Sequence, residues 1–207
     1  MKKLLRQKRG IVGIEAAIVL IAFIIIAAAL SYVVVNMGFY TTQKTKETMS
    51  SGVEEALAAL QLDGVVTGKT NATNYIEYIV FPVKLSVGKA ALDLKDESVI
   101  VSVYLGNATL MNIYNGSAST DNATWDDLNS TLALGPDEAK FAIYNDDGDS
   151  VLESTEKAFL MMRLGEGHRI ADYETVKIEV KASKGAALTV VRTAPGGMPP
   201  SSFVDLG

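Results

Sequence analysis

Residues 11–35, IVGIEAAIVLIAFIIIAAALSYVVV, form 25 consecutive positions that carry one charge, Glu15. Wound as a helix, a stretch of that length reaches about 37 Å, more than the ~30 Å hydrocarbon core of a bilayer. It follows a basic leader of Lys2, Lys3, Arg6, Lys8 and Arg9 with no acid among them. That charge asymmetry holds the leader in the cytoplasm and puts everything beyond the helix outside.

Three readings compete for this segment. A secretory signal cut near Ala27, Ala28 and Ala29 calls for a short, uncharged apolar region, whereas this one continues past the cut and contains a carboxylate. A plain membrane anchor accounts for the length. It does not account for Glu15, because a lone carboxylate in hydrocarbon is costly. The third reading takes the pattern as a whole. Basic residues, then Gly10, an apolar residue and a glutamate five positions on resemble a class III, type IV pilin-like signal. The resemblance implies cleavage between Gly10 and Ile11, before the apolar stretch, so that Glu15 becomes the fifth residue of the mature chain. It also implies an assembly charge pair between Glu15 and the new α-ammonium at Ile11 of a neighbouring subunit. Two charges in an apolar medium cost far less paired than apart.

Residues 13–47, GIEAAIVLIAFIIIAAALSYVVVNMGFYTTQKTKE, closely resemble the N-terminus of archaeal flagellins (archaellins) of the crenarchaeal type. This resemblance implies a structural subunit that polymerises helically through its hydrophobic helix into the archaellum filament, which a membrane motor rotates for swimming. The implied partners are further copies of the chain, sister archaellins, a prepilin-type peptidase and the archaellum motor and assembly platform. The precursor would sit in the cell membrane and the product in the extracellular filament. The alternatives are an adhesion pilin built on the same signal and, further off, a single-pass anchored extracellular binding domain.

Composition points the same way. The chain has no cysteine, which removes disulfides, thiolate metal sites and thiol nucleophiles. One histidine excludes His-cluster metal sites and most general-base machinery. A net charge of −5 argues against nucleic acid as a partner, and losing residues 1–10 makes the remainder more acidic still. The chain reads as a non-enzyme with no small-molecule substrate.

Beyond the apolar run, Met49, Val53, Ala56, Leu57 and Leu60 recur at helical spacing, with Lys44, Lys46, Glu47, Glu54 and Glu55 mainly elsewhere on the surface. One helix over residues 11–62 is expected, stopped by Asp63-Gly64. From residue 64 to 207 the period changes to two. Strands are expected at Tyr75–Val87 (Pro82 marking an edge or bulge), Ser98–Leu105, Ala108–Tyr114, Phe141–Tyr144, Ala158–Leu164, Thr175–Ala182 and Ala187–Thr193. Phe203 and Val204 suit a short edge strand. The expected fold class is α+β, a long N-terminal helix followed by an antiparallel β-sandwich or barrel head.

The head carries five N-x-[ST] sequons, at Asn71, Asn107, Asn115, Asn122 and Asn129, all on the side expected to be external. Residues 145–156, NDDGDSVLESTE, align with a 12-residue calcium loop. Asn145, Asp147 and Asp149 take positions 1, 3 and 5, the Val151 carbonyl position 7, Glu153 position 9 and Glu156 position 12. Ser150 replaces the glycine expected at position 6, and the flanks read as strands. A Ca²⁺ site and an acidic solvated hairpin therefore both stand. Gly68-Lys69-Thr70 lacks the earlier glycine a phosphate loop needs. His168 reads as a surface histidine in a turn and Trp125 as a loop anchor.

Overall fold

The computed structural model describes residues 9–56, 59–87 and 91–207, in two compact units that divide at Gly52/Val53. The leader residues 1–8 and Leu57 lie outside the described residues. Helix α1 spans Arg9–Ala56. Its alanines and leucines are strong helix formers, while its isoleucines and valines narrow the rotamers available on the helix surface. Towards its C-terminal half the hydroxyls of Thr42 and Thr48 donate to the carbonyls of Gly38 and Lys44 at 2.8 and 2.9 Å, and so find partners within the helix.

The expectation of a helix to residue 62 is corrected. The helix ends at Ala56, and Leu60–Leu62 is strand β1, paired antiparallel with β3 (Ile76–Leu85) in the register Leu60↔Leu85 and Leu62↔Val83. Leu60, at helical spacing from Ala56, also alternates with Gln61 and Leu62. Burial of Leu60 in the head core decides for the strand.

The head has a seven-stranded and a four-stranded sheet. The larger holds, in spatial order, Phe203–Asp205 (β13), Thr67–Thr70 (β2), β3, Lys157–Arg163 (β10), Glu138–Tyr144 (β8) and Tyr114–Thr120 (β7), with β1 also on β3. The smaller runs Leu188–Thr193 (β12), Thr175–Ala182 (β11), Val99–Tyr104 (β5) and Thr109–Leu110 (β6). A two-stranded ladder joins Ala91–Asp93 (β4) to Val151–Glu153 (β9). The sequence expectation of one strand over Ala108–Tyr114 is corrected: the chain turns at Asn112 (φ 52°), dividing it into β6 and the start of β7.

Pairing is antiparallel except between β7 and β8, which run parallel. Parallel neighbours need a crossover, and helix α2 (Trp125–Leu132) supplies it. Pro82 is neither at an edge nor in a bulge. It lies in the interior strand β3, opposite Phe159 of β10. Its carbonyl accepts from Asp63 N–H at 3.0 Å, so its ring nitrogen faces the seam where the neighbouring chain passes from β1 to β2. There the missing N–H costs no ladder bond. Gly64 lets the backbone close over that ring, since a Cβ there would stand 2.8 Å from Pro82 Cγ.

Alternation places Ile79, Phe81 and Val83 of β3, Phe141 and Ile143 of β8 and Leu160 and Met162 of β10 in one core with Val101, Val103, Ile178 and Val180 of the small sheet. Ala142 and Met161, on the opposite face, pack with Leu128 and Leu132 of α2. The large sheet is thus covered on both sides at β8 and β10. That explains their near-continuous apolar runs.

Candidate functional site

The apolar helix is exposed all round. Ile14 is 63% accessible, Phe23 71% and Phe39 71%, and every residue from Gly13 to Ala56 is exposed. The segment Gly13–Ala56 is long and apolar enough to cross a membrane, by length and composition. Exposed contiguous apolar surface on this scale marks an interaction surface. Glu15 opens onto a shallow hollow with Ala16, Val19, Leu20 and Phe23. Gly10 and Ile11 lie in the helical backbone at its start. In the head, by contrast, most of the large apolar side chains pack into two shared clusters, with isolated exceptions such as Val87 and Met111.

The acidic loop joins β8 to β9. The carboxylates of Asp146, Asp147 and Asp149 lie within 4.8 Å of one another. Asp146 Oδ1 accepts from Gly148 N–H at 3.0 Å and Asp149 Oδ1 from Val151 N–H at 2.8 Å, two local turns of the kind aspartate favours. Ser150, where a calcium loop carries glycine, adopts φ 63°. The cluster recruits Asp146, a neighbour of Asn145 that the loop alignment passed over. The far end of the alignment does not join it. Val151 and Glu153 sit in β9, opposite Asp93 and Ala91. Glu156 is buried, and its Oε2 accepts from Glu153 N–H at 2.8 Å, closing the turn into β10. In this structure the acidic cluster of Asp146, Asp147 and Asp149 and the turn carboxylate of Glu156 therefore stand as separate groups.

The sequons occupy different backbones. Asn71 is half-buried in a turn, its Oδ1 accepting from the N–H and hydroxyl of Thr73, each at 2.9 Å, and from Tyr75 N–H at 3.0 Å. Asn107 is exposed between β5 and β6, with Nδ2 donating to the Gly167 carbonyl at 3.4 Å. Asn115 is exposed in β7, where its Nδ2 donates to Glu138. Asn122 is exposed just before α2 and Asn129 is exposed within it.

Trp125 proves to be the first residue of α2 rather than a loop residue. Thr124 caps this helix, its hydroxyl accepting from Asp127 N–H at 3.4 Å and donating to the Asp127 carboxylate. The local signal was present: Thr124 followed three residues later by an acid is an N-terminal capping pattern. Trp125 stacks edge-on with Tyr78 and with Phe203, each at 5.3 Å between centroids, and Lys69 Nζ lies 4.3 Å from its ring. No local pattern foretells that cluster, since its members come from β2, β3, α2 and β13. Gly68-Lys69-Thr70 is strand β2, as the failed phosphate-loop pattern required of it nothing else. His168 sits in a single 3₁₀ turn (Glu166–His168), its Nδ1 3.0 Å from both carboxylate oxygens of Asp137.

Comparison with known proteins agrees with the helix-and-head arrangement. The family model for archaeal-type flagellin matches residues 10–192. The chain is 42% identical over 206 residues to "Probable flagellin 1" of Aeropyrum pernix, covering 98% of this chain and 100% of the relative. It is 31% identical over 217 residues to "Probable flagellin 2" of Archaeoglobus fulgidus, covering 98% of each. Among solved structures, the archaeal flagellum of Methanospirillum hungatei aligns with a TM-score of 0.59 at 25% identity, over 93% of this chain and 99% of that one. Flagellin FlaB1 of Methanocaldococcus jannaschii aligns with a TM-score of 0.60 at 17% identity, over 71% of this chain and 95% of that one, a likeness of fold.

Proposed function

This chain belongs to the archaeal-type flagellin family, and from that premise we infer how it is processed and held in its filament. It is a structural, non-enzymatic subunit of an archaeal flagellar filament, built as a polymer of such chains. In our reading a prepilin-type peptidase cuts between Gly10 and Ile11. The membrane-held helix of the precursor then exchanges lipid neighbours for the helices of other copies and of sister archaellins, on a platform coupled to the rotary motor. The filament lies outside the cell. Nothing favours an adhesion pilus or an anchored binding domain.

The observation that carries this reading is the contrast between the two units. The head buries most of its large apolar residues in its own core, while α1 exposes apolar side chains on every side. At roughly 25 cal/mol per Å², helix-on-helix burial holds a polymer together without covalent links. Glu15 then pairs with the Ile11 ammonium of a neighbour, the arrangement that spares both charges from standing alone in an apolar core. The five sequon asparagines are glycan acceptors on the outer surface. The filament reading does not draw on the acidic loop at Asp146, Asp147 and Asp149.

The test is the mature N-terminus. Mass spectrometry of purified filaments should show Ile11 as the first residue, and Gly10→Trp should leave full-length precursor in the membrane fraction. Filaments built from chains that retain residues 1–10 would overturn the processing step.

A further inference from the structure

A cavity of about 180 Å³ opens on the outer face of the large sheet, lined by Pro82, Ala123, Trp125, Leu128, Phe159 and Phe203 among others. It is small beside the ~300 Å³ at which drug-sized sites begin, room for about one ring. Three observations bear on what fills it. The wall residue Ala123 directly follows Asn122, an exposed sequon asparagine whose own carbonyl is held by the Thr120 hydroxyl at 2.7 Å. Phe203, which also lines the cavity, is 55% exposed, so the aromatic surface is open to solvent. At the aromatic cluster, Lys69 Nζ lies 4.3 Å from the Trp125 ring and 5.2 Å from that of Phe203. Among the described residues no carboxylate stands within ion-pair distance of that ammonium. The site therefore combines apolar aromatic walls, an ammonium held over aromatic rings with no carboxylate partner among the described residues, and an attachment point next door.

We propose that the glycan carried by Asn122 folds back into this cavity, laying a sugar ring against Trp125 and Phe203 with a sugar oxygen at Lys69 Nζ. The inference rests on the reading of Asn122 as glycosylated. A pyranose ring has the matching chemistry, C–H faces for aromatic surface and oxygens at its rim for an ammonium. Tethering replaces affinity. A ring attached one residue away is present at a high effective concentration, so weak contacts suffice to hold it. The glycan then acts as part of the fold, sealing the edge where β13 and α2 meet the sheet.

The chain has one tryptophan, so its fluorescence reports this cavity alone. The experiment compares acrylamide quenching of Trp125 in wild-type, Asn122→Gln and Asn129→Gln filaments, after peptide mass spectrometry has established whether Asn122 is modified. The quenching constant should rise about twofold or more in Asn122→Gln, since the tethered ring excludes the quencher, and stay at the wild-type value in Asn129→Gln. The Lys69→Met change should raise quenching more in the glycosylated chain than in the Asn122→Gln background, a coupling that a loose, undocked glycan would not produce. A modified Asn122 with unchanged quenching, or no coupling to Lys69, overturns the docking and leaves the glycosylation reading intact. An unmodified Asn122 overturns both at this site.

Discussion

Asp63 lies between two ammonium groups, Lys84 Nζ at 2.5 Å and Lys157 Nζ at 3.3 Å. Hydrogen bonds from Lys84 and then Lys157 hold its carboxyl below the ordinary aspartate value. Glu138 is lowered as well: burial pushes it up, but the Gly135 amide, Asn115 and Lys140 together outweigh that. A carboxyl whose pKa is depressed in the folded state stabilises the fold above its unfolded value, and that contribution disappears as pH falls through the folded value. Head-domain stability should therefore be level above about pH 5 and decline below about pH 4. Thermal melts across that range check the sign, and Asp63→Asn should flatten the decline. The loop carboxylates behave differently. Asp146, Asp147 and Asp149 repel one another at short range. Asp147→Asn should leave the head as stable or slightly more so, and calcium or chelator should not move the melting temperature of the wild-type chain. A calcium-dependent rise that Asp147→Asn removes would instead place a cation at this cluster.

At the scale of elements, α2 is the crossover between the parallel strands β7 and β8 and the cover for one face of the large sheet. Its eight residues make fewer than three turns, so it owes its stability to the Thr124 cap and to burial of Leu128 and Leu132. Thr124→Ala should cost about 1 kcal/mol in chemical denaturation, whereas Thr124→Ser should keep both cap and sequon. Loss of stability from Ala but not from Ser would tie the effect to the hydroxyl. Strands β5, β11 and β12 were each readable from alternation, while their pairing is a product of the tertiary structure. The division of Ala108–Tyr114 was not, because a left-handed Asn112 has the same composition signal as any loop asparagine.

For the molecule as a whole, assembly depends on a helix whose partners are other copies. Glu15→Leu should leave membrane insertion unchanged, since a leucine is easier to place in hydrocarbon, and, on the proposed pairing of Glu15 with the Ile11 ammonium, should reduce filament yield. Electron micrographs and membrane fractionation of the same cells separate the two effects. Wild-type yield from that variant would remove Glu15 from assembly and leave burial of the apolar surface as the whole driving force.

The apolar helix was legible from residues 11–35, because a run of that length must be buried somewhere. Its purpose came from the resemblance of residues 13–47 to archaellins, since the run alone left a signal, an anchor and a filament core open. Alternation in Thr175–Ala182 likewise specified a strand with one face inward. What tertiary structure decided were the choices for which local physics is evenly balanced. Leu60 suited a helix or a strand until burial beside Leu85 settled it. Pro82 was acceptable in an interior strand only because its neighbour changes from β1 to β2 there. Glu156 accepts from the Glu153 amide in the turn into β10, a contact that the loop alignment did not contain. Trp125, Phe203 and Lys69 meet because three elements separated along the chain converge, a fact that no window of sequence contains.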